Sequence, residues 1–306
     1  MVILLLTGSL DGTSDLLVRR LGKDIFRFNY DLFKDYELAF TPDAWSLKNP
    51  AGLSISSDTV TAAFWWKAFN YFLIDEDPFI VEEVKYVFRE LYNWCRLQGL
   101  TKGNHHDFHN RLGKMNLLKI AAKYFPVPKT LATFRLGGVD DLSGSKIVAK
   151  SFSSGLTVTN RALMTTEVDS ARLDPNFPWF LQELIESSAD VTVFVCGEKL
   201  FAYERDRSSL KGLDWRAEQL FNPDIKEWAR VGLRPEQESA VRAFCKAIDV
   251  DWGRIDFMRS GDTFIFLEFN ANGQWVFLDY SDEDHLVQSV CNYLMPHQAL
   301  QSSTGR

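Results

Sequence analysis

Three oxygen-bearing side chains near the end of the chain have the types and spacing to do chemistry together. Asp256 lies in Arg254-Ile255-Asp256-Phe257, while Glu268 and Asn270 lie in Phe266-Leu267-Glu268-Phe269-Asn270. A strand turns its side chains to alternate faces, so Glu268 and Asn270 share one face, and in a hairpin turning at Gly261-Asp262 Asp256 reaches that face too. Two carboxylates this close repel and drift toward protonation unless a cation neutralises them. Hard oxygen ligands favour Mg²⁺, which keeps waters and accepts substrate phosphates as further ligands. The alternative is the solvated face of an antiparallel sheet, and spacing alone leaves both open. Two lysines add a second element. Lys150 ends the apolar run Ile147-Val148-Ala149, and Lys114 stands just ahead of an amphipathic helix. Lysines facing an acidic metal site make the clamp that a nucleoside triphosphate requires.

These residues need a scaffold, and the hydrophobic pattern describes one. The first third reads as an α/β unit. Residues 2–6 form an apolar strand, 13–21 a helix with Leu16, Leu17 and Leu21 on one side, and 25–29 a second strand. Between them Thr7, Gly8, Asp11 and Gly12 make a plain connection that is neither a dinucleotide fingerprint nor a phosphate loop. Residues 60–69, with Phe64, Trp65, Trp66 and Lys67, line the end of this unit. Residues 79–98 form a long helix with Ile80, Val84, Val87, Leu91 and Cys95 at helical spacing and Gly99 as its stop. A polar stretch over 100–110 carries His105, His106 and His109, read as surface residues in preference to metal ligands. The next helix puts Leu118, Ala121, Ala122 and Phe125 on one face and ends at Pro126-Val127-Pro128. Short strands follow at 147–150 and around 179–186, with a small, flexible segment at 151–155 after the first. A hairpin over 191–203 turns at Gly197-Glu198-Lys199. A helix over 234–248 has Pro235 near its start and acids in its first turn, and it leads into the acid-bearing strands.

Composition narrows the class. A chain of 306 residues with 46% hydrophobic and 25% charged residues is globular, and its length suggests about two domains. The net charge of −7 argues against a nucleic-acid partner or an anionic membrane surface. No apolar run reaches the roughly 18 residues of a membrane span, and the N-terminal run reads as a strand instead of a signal peptide. Cys95, Cys196, Cys245 and Cys291 are far apart in apolar stretches, as small core residues of a cytoplasmic protein. Aromatic content of 14%, with 24 Phe and 9 Trp, suits a large core or a peptide-binding groove.

The order Lys114, Lys150 with its Ser/Gly-rich flap, Gln182-Glu183-Leu184-Ile185, Asp256 and Glu268-x-Asn270 resembles the ATP-grasp ligases. The stretch Leu267-Glu268-Phe269-Asn270-Ala271-Asn272-Gly273-Gln274-Trp275 resembles one branch of them, the microviridin-type graspetide synthetases, which macrocyclise ribosomal peptides (RiPPs). So do Asp214-Trp215-Arg216, Phe26-Arg27-Phe28-Asn29 and the segment around Trp65-Trp66-Lys67. The resemblance runs from residue 2 to about residue 295. It implies an α/β fold divided into an N-terminal pre-ATP-grasp domain (1–110), a central subdomain with the flap (111–186) and a C-terminal subdomain with the Mg²⁺ site (187–306). Lys114 and Lys150 would contact ATP phosphates, and Gln182, Glu183, Leu184 and Ile185 would border the adenine, with backbone groups of Glu183 and Ile185 toward its edge. Asp190 would lie near the ribose, and Arg216 would act on the transferring phosphate. Asp256, Glu268 and Asn270 would hold Mg²⁺. The implied partner is a precursor peptide with leader and core, and a homodimer is left open. A ligase acting on a small amino acid or a protein C-terminus, and a non-catalytic nucleotide-binding relative, are the competing readings. The sequence departs from the family at Thr192, where an arginine is usual, at Arg254, where a small or apolar residue is usual, and at Trp66-Lys67, which replaces a more basic stretch.

Overall fold

The computed structural model describes residues 2–69, 76–152, 164–218 and 226–295. Part of the flap segment, residues 153–155, and the polar tail 301–306 lie outside the described residues.

The apolar N-terminal run forms strand β1 (Val2–Thr7), and its five residues from Ile3 onward are buried. Helix α1 (Gly12–Leu21) follows, capped by Asp11, whose side chain accepts from the Ser14 N–H. Strand β2 (Ile25–Asn29) then pairs parallel to β1. A small antiparallel sheet of β3 (Glu37–Phe40), β4 (Trp45–Lys48) and β5 (Ser54–Ser56) intervenes. The sequence reading missed it because its strands are three or four residues long. The chain returns in β6 (Val60–Trp65), on the other side of β1, and helix α2 (Pro78–Leu97) leads to the short β7 (Thr101–Lys102). The sheet order is β2-β1-β6-β7, all parallel.

Helix α2 buries Val84, Phe88, Leu91, Tyr92 and Cys95. The expected stripe is therefore rotated. Ile80 and Val87 remain 38% and 37% exposed because Phe88 and Tyr92 claim the face toward β2 and β6.

Helices α3 (Phe108–Leu112) and α4 (Lys114–Ala121) lead into a four-stranded antiparallel sheet. Its strands are β8 (Thr130–Thr133), β9 (Ile147–Lys150), β10 (Thr166–Val168) and β11 (Trp179–Glu183), in the order β10-β9-β11-β8. On α4, Leu117 joins Leu118 and Ala121 in the core, whereas Ala122, expected inside, is exposed past the helix end.

The last sheet holds β12 (Ala189–Cys196), β13 (Lys199–Asp206), β14 (Ala229–Val231), β15 (Trp252–Ser260) and β16 (Thr263–Asn270). Its order is β14-β13-β12-β15-β16. The short α5 (Trp215–Glu218) and α6 (Pro235–Ala247) lie along the way. Helix α7 (Leu286–Leu294), absent from the sequence reading, buries six of its nine residues. Every residue of β12 is buried, as a central strand covered on both faces requires. One face packs with α4 and α6 around Phe125, Phe244 and Phe266. The other shares a core with the N-terminal sheet, where Ile3, Leu5, Phe64 and Trp66 meet Phe194, Trp252, Trp275 and α7. Asn104 locks the two sheets together, its amide donating to the carbonyls of Trp252 and Ala271, each at 2.8 Å. All four cysteines are free and buried, as expected.

Candidate nucleotide and metal site

The acid-bearing hairpin contains a device that sequence reading did not see. Asp256 pairs with Glu268, but Phe257 pairs with Phe266, so Leu267 is an extra residue in β16. The bulge lets Phe266 and Phe269 both enter the core while Glu268 and Asn270 stay on the opposite face with Asp256. A regular strand would have carried Phe266 to the same face as Glu268 and Asn270. Gly253 and Gly273 close the end of the hairpin. Gly253 sits at φ +133°, and a Cβ there would meet the Phe269 ring at 2.5 Å; one on Gly273 would meet Asn270 Cβ at 2.9 Å.

The three predicted ligands converge. The Asn270 amide donates to Asp256 Oδ2 at 2.7 Å and to Glu268 Oε1 at 3.0 Å. Both carboxylates thus reach a single point. Two departures from the family pattern meet at Asp256. The Thr192 hydroxyl, opposite it on β12, donates to Oδ1 at 2.8 Å, and Arg254 donates to Oδ2 at 3.0 Å. Arg254 is itself fixed by the Gln274 carbonyl at 2.7 Å.

The expected drift of Glu268 toward protonation does not occur. Burial raises its pKa, but Lys150, the Asn270 amide, Lys114 and Arg216 outweigh it and hold the carboxyl well below the usual range. Protein cations supply the neutralisation. Burial in turn lowers the pKa of Lys150 and of Lys114, with Glu268 opposing both shifts. The Lys114 ammonium also donates to the Ser151 carbonyl at 2.7 Å, tying the start of α4 to the residue after β9.

Two adjoining cavities share Lys150, Arg216 and Glu268. One, of about 100 Å³, is bordered by Gln182, Glu183, Leu184, Ile185, Asp190 and Asp256. The other, of about 610 Å³, is bordered by Lys114, Phe180, Asn270 and His109. Every predicted site residue therefore lines one of the two. The N–H groups of Glu183 and Leu184 are already bonded to the carbonyls of Lys129 and Lys146, at 2.9 and 2.8 Å. Asp190 Oδ1 accepts from Arg207 at 2.6 Å, whereas its Oδ2 is buried without a partner. Desolvation raises the pKa of Asp190 despite Arg207 and Arg205, so an external hydroxyl donor would be well received there.

Arg216 is the second residue of α5, where Asp214 Oδ1 accepts from its backbone N–H at 3.1 Å and from its Nε–H at 2.9 Å. Sequence reading missed the wall behind it, in which Arg205 is sandwiched between Trp215 and Trp228, 3.9 and 4.3 Å from the ring centres. The periodicity of β13 places Arg205 opposite Asp190, which is the signal that was available. The histidines differ from expectation. His105 and His106 are partly buried, with the His106 ring tilted against Trp65 at 4.8 Å and His105 bonded to Asp107, and the ligand atoms of His105, His106 and Asp107 lie within 4.8 Å of one another. The Ala271 N–H donates to His109 Nε2 at 3.4 Å.

Two carboxylates and an amide gathered at one point, with a buried orphan acceptor across the cavity, fit Mg²⁺ and a nucleotide ribose. No protein-family model and no curated protein matches the sequence. Solved structures do match. An ATP-grasp ligase from Chryseobacterium gregarium, RiPP-associated and in complex with ADP and a leader and core peptide, is 22% identical, with 96% of each chain covered and a TM-score of 0.77. The macrocyclase MdnC of Microcystis aeruginosa, bound with precursor peptide MdnA, is 20% identical over 96% of this chain and 99% of that one, with a TM-score of 0.77. A RimK-domain ATP-grasp protein from Sphaerobacter thermophilus is 15% identical over 97% of this chain and all of that one, with a TM-score of 0.58. The chain has the ATP-grasp fold. Among the solved structures that share it over nearly the full length are ligases of precursor peptides.

Proposed function

We propose that the protein is an ATP-dependent carboxylate ligase that macrocyclises the side chains of a ribosomal precursor peptide in the cytoplasm. The observation that carries this reading is the meeting of two cavities at Lys150, Arg216 and Glu268, beside the converged Asp256, Glu268 and Asn270. Fold neighbours that bind leader and core peptides support the peptide as substrate.

In this reading Gln182 to Ile185 border the adenine, Asp190 Oδ2 accepts a ribose hydroxyl, and Lys114 and Lys150 hold phosphate oxygens. Asp256, Glu268 and Asn270 would hold Mg²⁺, which would supply charge neutralisation on the triphosphate. A substrate carboxylate attacks the γ-phosphorus, ADP leaves, and an acyl phosphate forms on the substrate. Arg216, oriented by Asp214, stabilises the negative charge that collects on the transferring group. A Ser/Thr hydroxyl or a Lys amine of the peptide then attacks the acyl carbon, phosphate departs, and the nucleophile loses its proton. The product is an ester or an amide.

The test is ADP release from Mg²⁺·ATP with and without a short Ser/Thr- and Glu/Asp-rich peptide encoded beside the gene, followed by mass spectrometry of the peptide. Each ring closure removes one water. Peptide-dependent ADP release without that mass loss would favour a ligase with another acceptor; absence of nucleotide binding in calorimetry would favour a non-catalytic relative.

A further inference from the structure

The N-terminal sheet has a binding position of its own. Strand β1 is flanked by β2 on one side and β6 on the other, all parallel, so the chain reverses its winding between β1 and β6. In open parallel sheets, ligands sit outside the carboxyl ends of strands at this reversal. Here that end is the turn Trp66-Lys67-Ala68-Phe69, in which Lys67 and Phe69 take φ of +52° and +64°. Left-handed backbone at two side-chain-bearing residues is costly, and strain of this kind collects at binding sites.

A cavity of about 140 Å³ opens at this turn, bordered by Trp65, Lys67, Lys85, Arg89, His106 and Asn272. It is distinct from the two nucleotide cavities and shares no lining residue with either. Three cationic side chains border it and no described carboxylate does. Lys85 is paired with Glu82 at 3.1 Å, whereas Lys67 and Arg89 have no ion pair among the described residues. Two polar atoms on its wall, His106 Nε2 and Asn272 Oδ1, are buried without hydrogen-bond partners. His106 is held neutral chiefly by desolvation, so it adds no charge and can turn one ring N–H toward a ligand. The amide of Asn272 can present its NH₂ in place of its oxygen by turning about its last torsion. Cations, an unpartnered ring nitrogen and an amide free to turn its NH₂ inward, around a small hole with an aromatic wall, describe an anion site.

Asn272 places the cavity within the chemistry, two residues past Asn270 on the loop that Asn104 fixes through Ala271. On the proposed ligase reading, an anion here lies beside the transfer site without occupying it. A triphosphate already has Lys114, Lys150 and Arg216 elsewhere, and the cavity is too small for one. We propose that this cavity seats an acidic side chain of the substrate peptide other than the one being phosphorylated, and so sets which carboxylate reaches the transfer site. A substrate core with several acids needs such a register, because the chemistry at Asp256, Glu268 and Asn270 cannot distinguish one side-chain carboxylate from another.

The test uses the whole protein and small probes. N-acetyl-glutamate N-methylamide and its glutamine counterpart are titrated while the Trp65 indole resonance is followed by NMR. ADP with Mg²⁺ is titrated in parallel by calorimetry, and inorganic phosphate is a third probe. The glutamate probe is expected to bind roughly tenfold tighter than the glutamine probe, and K67M and R89M each to erase that difference, with ADP·Mg²⁺ affinity retained. Equal binding of the two probes, an unchanged preference in both variants, or phosphate binding tighter than glutamate would overturn the proposal. Failure of the wild-type protein to bind ADP·Mg²⁺ would instead strike the ligase reading while leaving the anion site measurable. R89M, on the flank of α2 and away from the strained turn, keeps the test decisive should K67M fail to fold.

Discussion

Two regions of this molecule handle charge in opposite ways. At the β15–β16 hairpin, acids and bases are both present and neutralise one another: Glu268 is held ionised by Lys150, Lys114 and Arg216, and Asp256 is paired with Arg254. At the end of β6, Lys67 and Arg89 have no ion pair among the described residues and stand beside the unpartnered His106 Nε2. The first region can admit Mg²⁺ and a triphosphate together, since each brings the charge that the other's protein partners give up. The second, with cations on its wall and no described carboxylate, favours an anion. A balanced site exchanges internal ion pairs for external ones and suits a reaction with large charge movement. An unbalanced site holds one ligand and suits recognition.

The strongest way to break the comparison is to unbalance the hairpin. Glu268→Ala and Asp256→Ala should each lower ligation by at least ~10³-fold while the fold persists. Asp256→Ala also takes from Arg254, whose side chain is only 11% exposed, its carboxylate partner and leaves it the Gln274 carbonyl, which should cost about 1–3 kcal/mol in stability. Asp256→Asn keeps a hydrogen-bonding partner for Arg254 and should recover most of that stability but not the turnover. Unchanged product yield in any of these variants refutes the metal role.

Arg216→Ala comes next. Its side chain is 54% exposed and touches the site from α5 without being part of the sheet. Turnover should fall ~10²–10³-fold while ADP affinity changes only a few-fold. Normal phosphate release in single-turnover kinetics removes Arg216 from the transfer step.

What could be read beforehand divides along the same line. The acids and the lysines were legible because strand period and chain order carry them, Arg216 entered only through the resemblance of Asp214-Trp215-Arg216 to the family, and β9 falls at its expected bounds. The bulge at Leu267 was not legible, because an extra residue shows only against a partner strand's register. The reach of Arg254 to Asp256 across a strand period, and the pairing of Thr192 with the same carboxylate, needed the sheet order β12-β15-β16. At the N-terminus β1 and β2 were visible, but the cavity at the end of β6 joins α2, the histidine stretch and Asn272, which lie far apart in sequence. The histidines read as surface residues because their burial comes from Trp65 and Tyr92, on elements that periodicity alone could not bring near them.

Thr192→Val sharpens the comparison more gently. It removes one hydrogen bond to Asp256 and leaves every charge in place. Mg²⁺ dependence of nucleotide binding should weaken roughly tenfold, with a stability loss of about 1 kcal/mol, because an outer hydroxyl orients a ligand without being one. If Mg²⁺ affinity is unmoved, the pairing across β12 and β15 does not tune the site.

The smallest expected effect is a pH dependence that only the N-terminal cavity should show. Desolvation lowers the Lys67 pKa to about 8, Asp11 pulls against that shift, and Arg254 on β15 adds to it. Lys85 and Arg89 face the same cavity from α2, and His106, lowered to about 4, is neutral throughout this range. A lysine whose pKa is lowered in the fold is charged below that value and neutral above it. Binding of the glutamate probe should therefore be strongest below pH 8 and weaken as pH rises through it, by a few-fold up to roughly tenfold. Bound anion favours the ammonium, so the midpoint with probe present should lie above that of the free protein. The same titration in K67M should be flat over this window, and a matching fall in that variant would assign the effect to another group and remove Lys67 from the site.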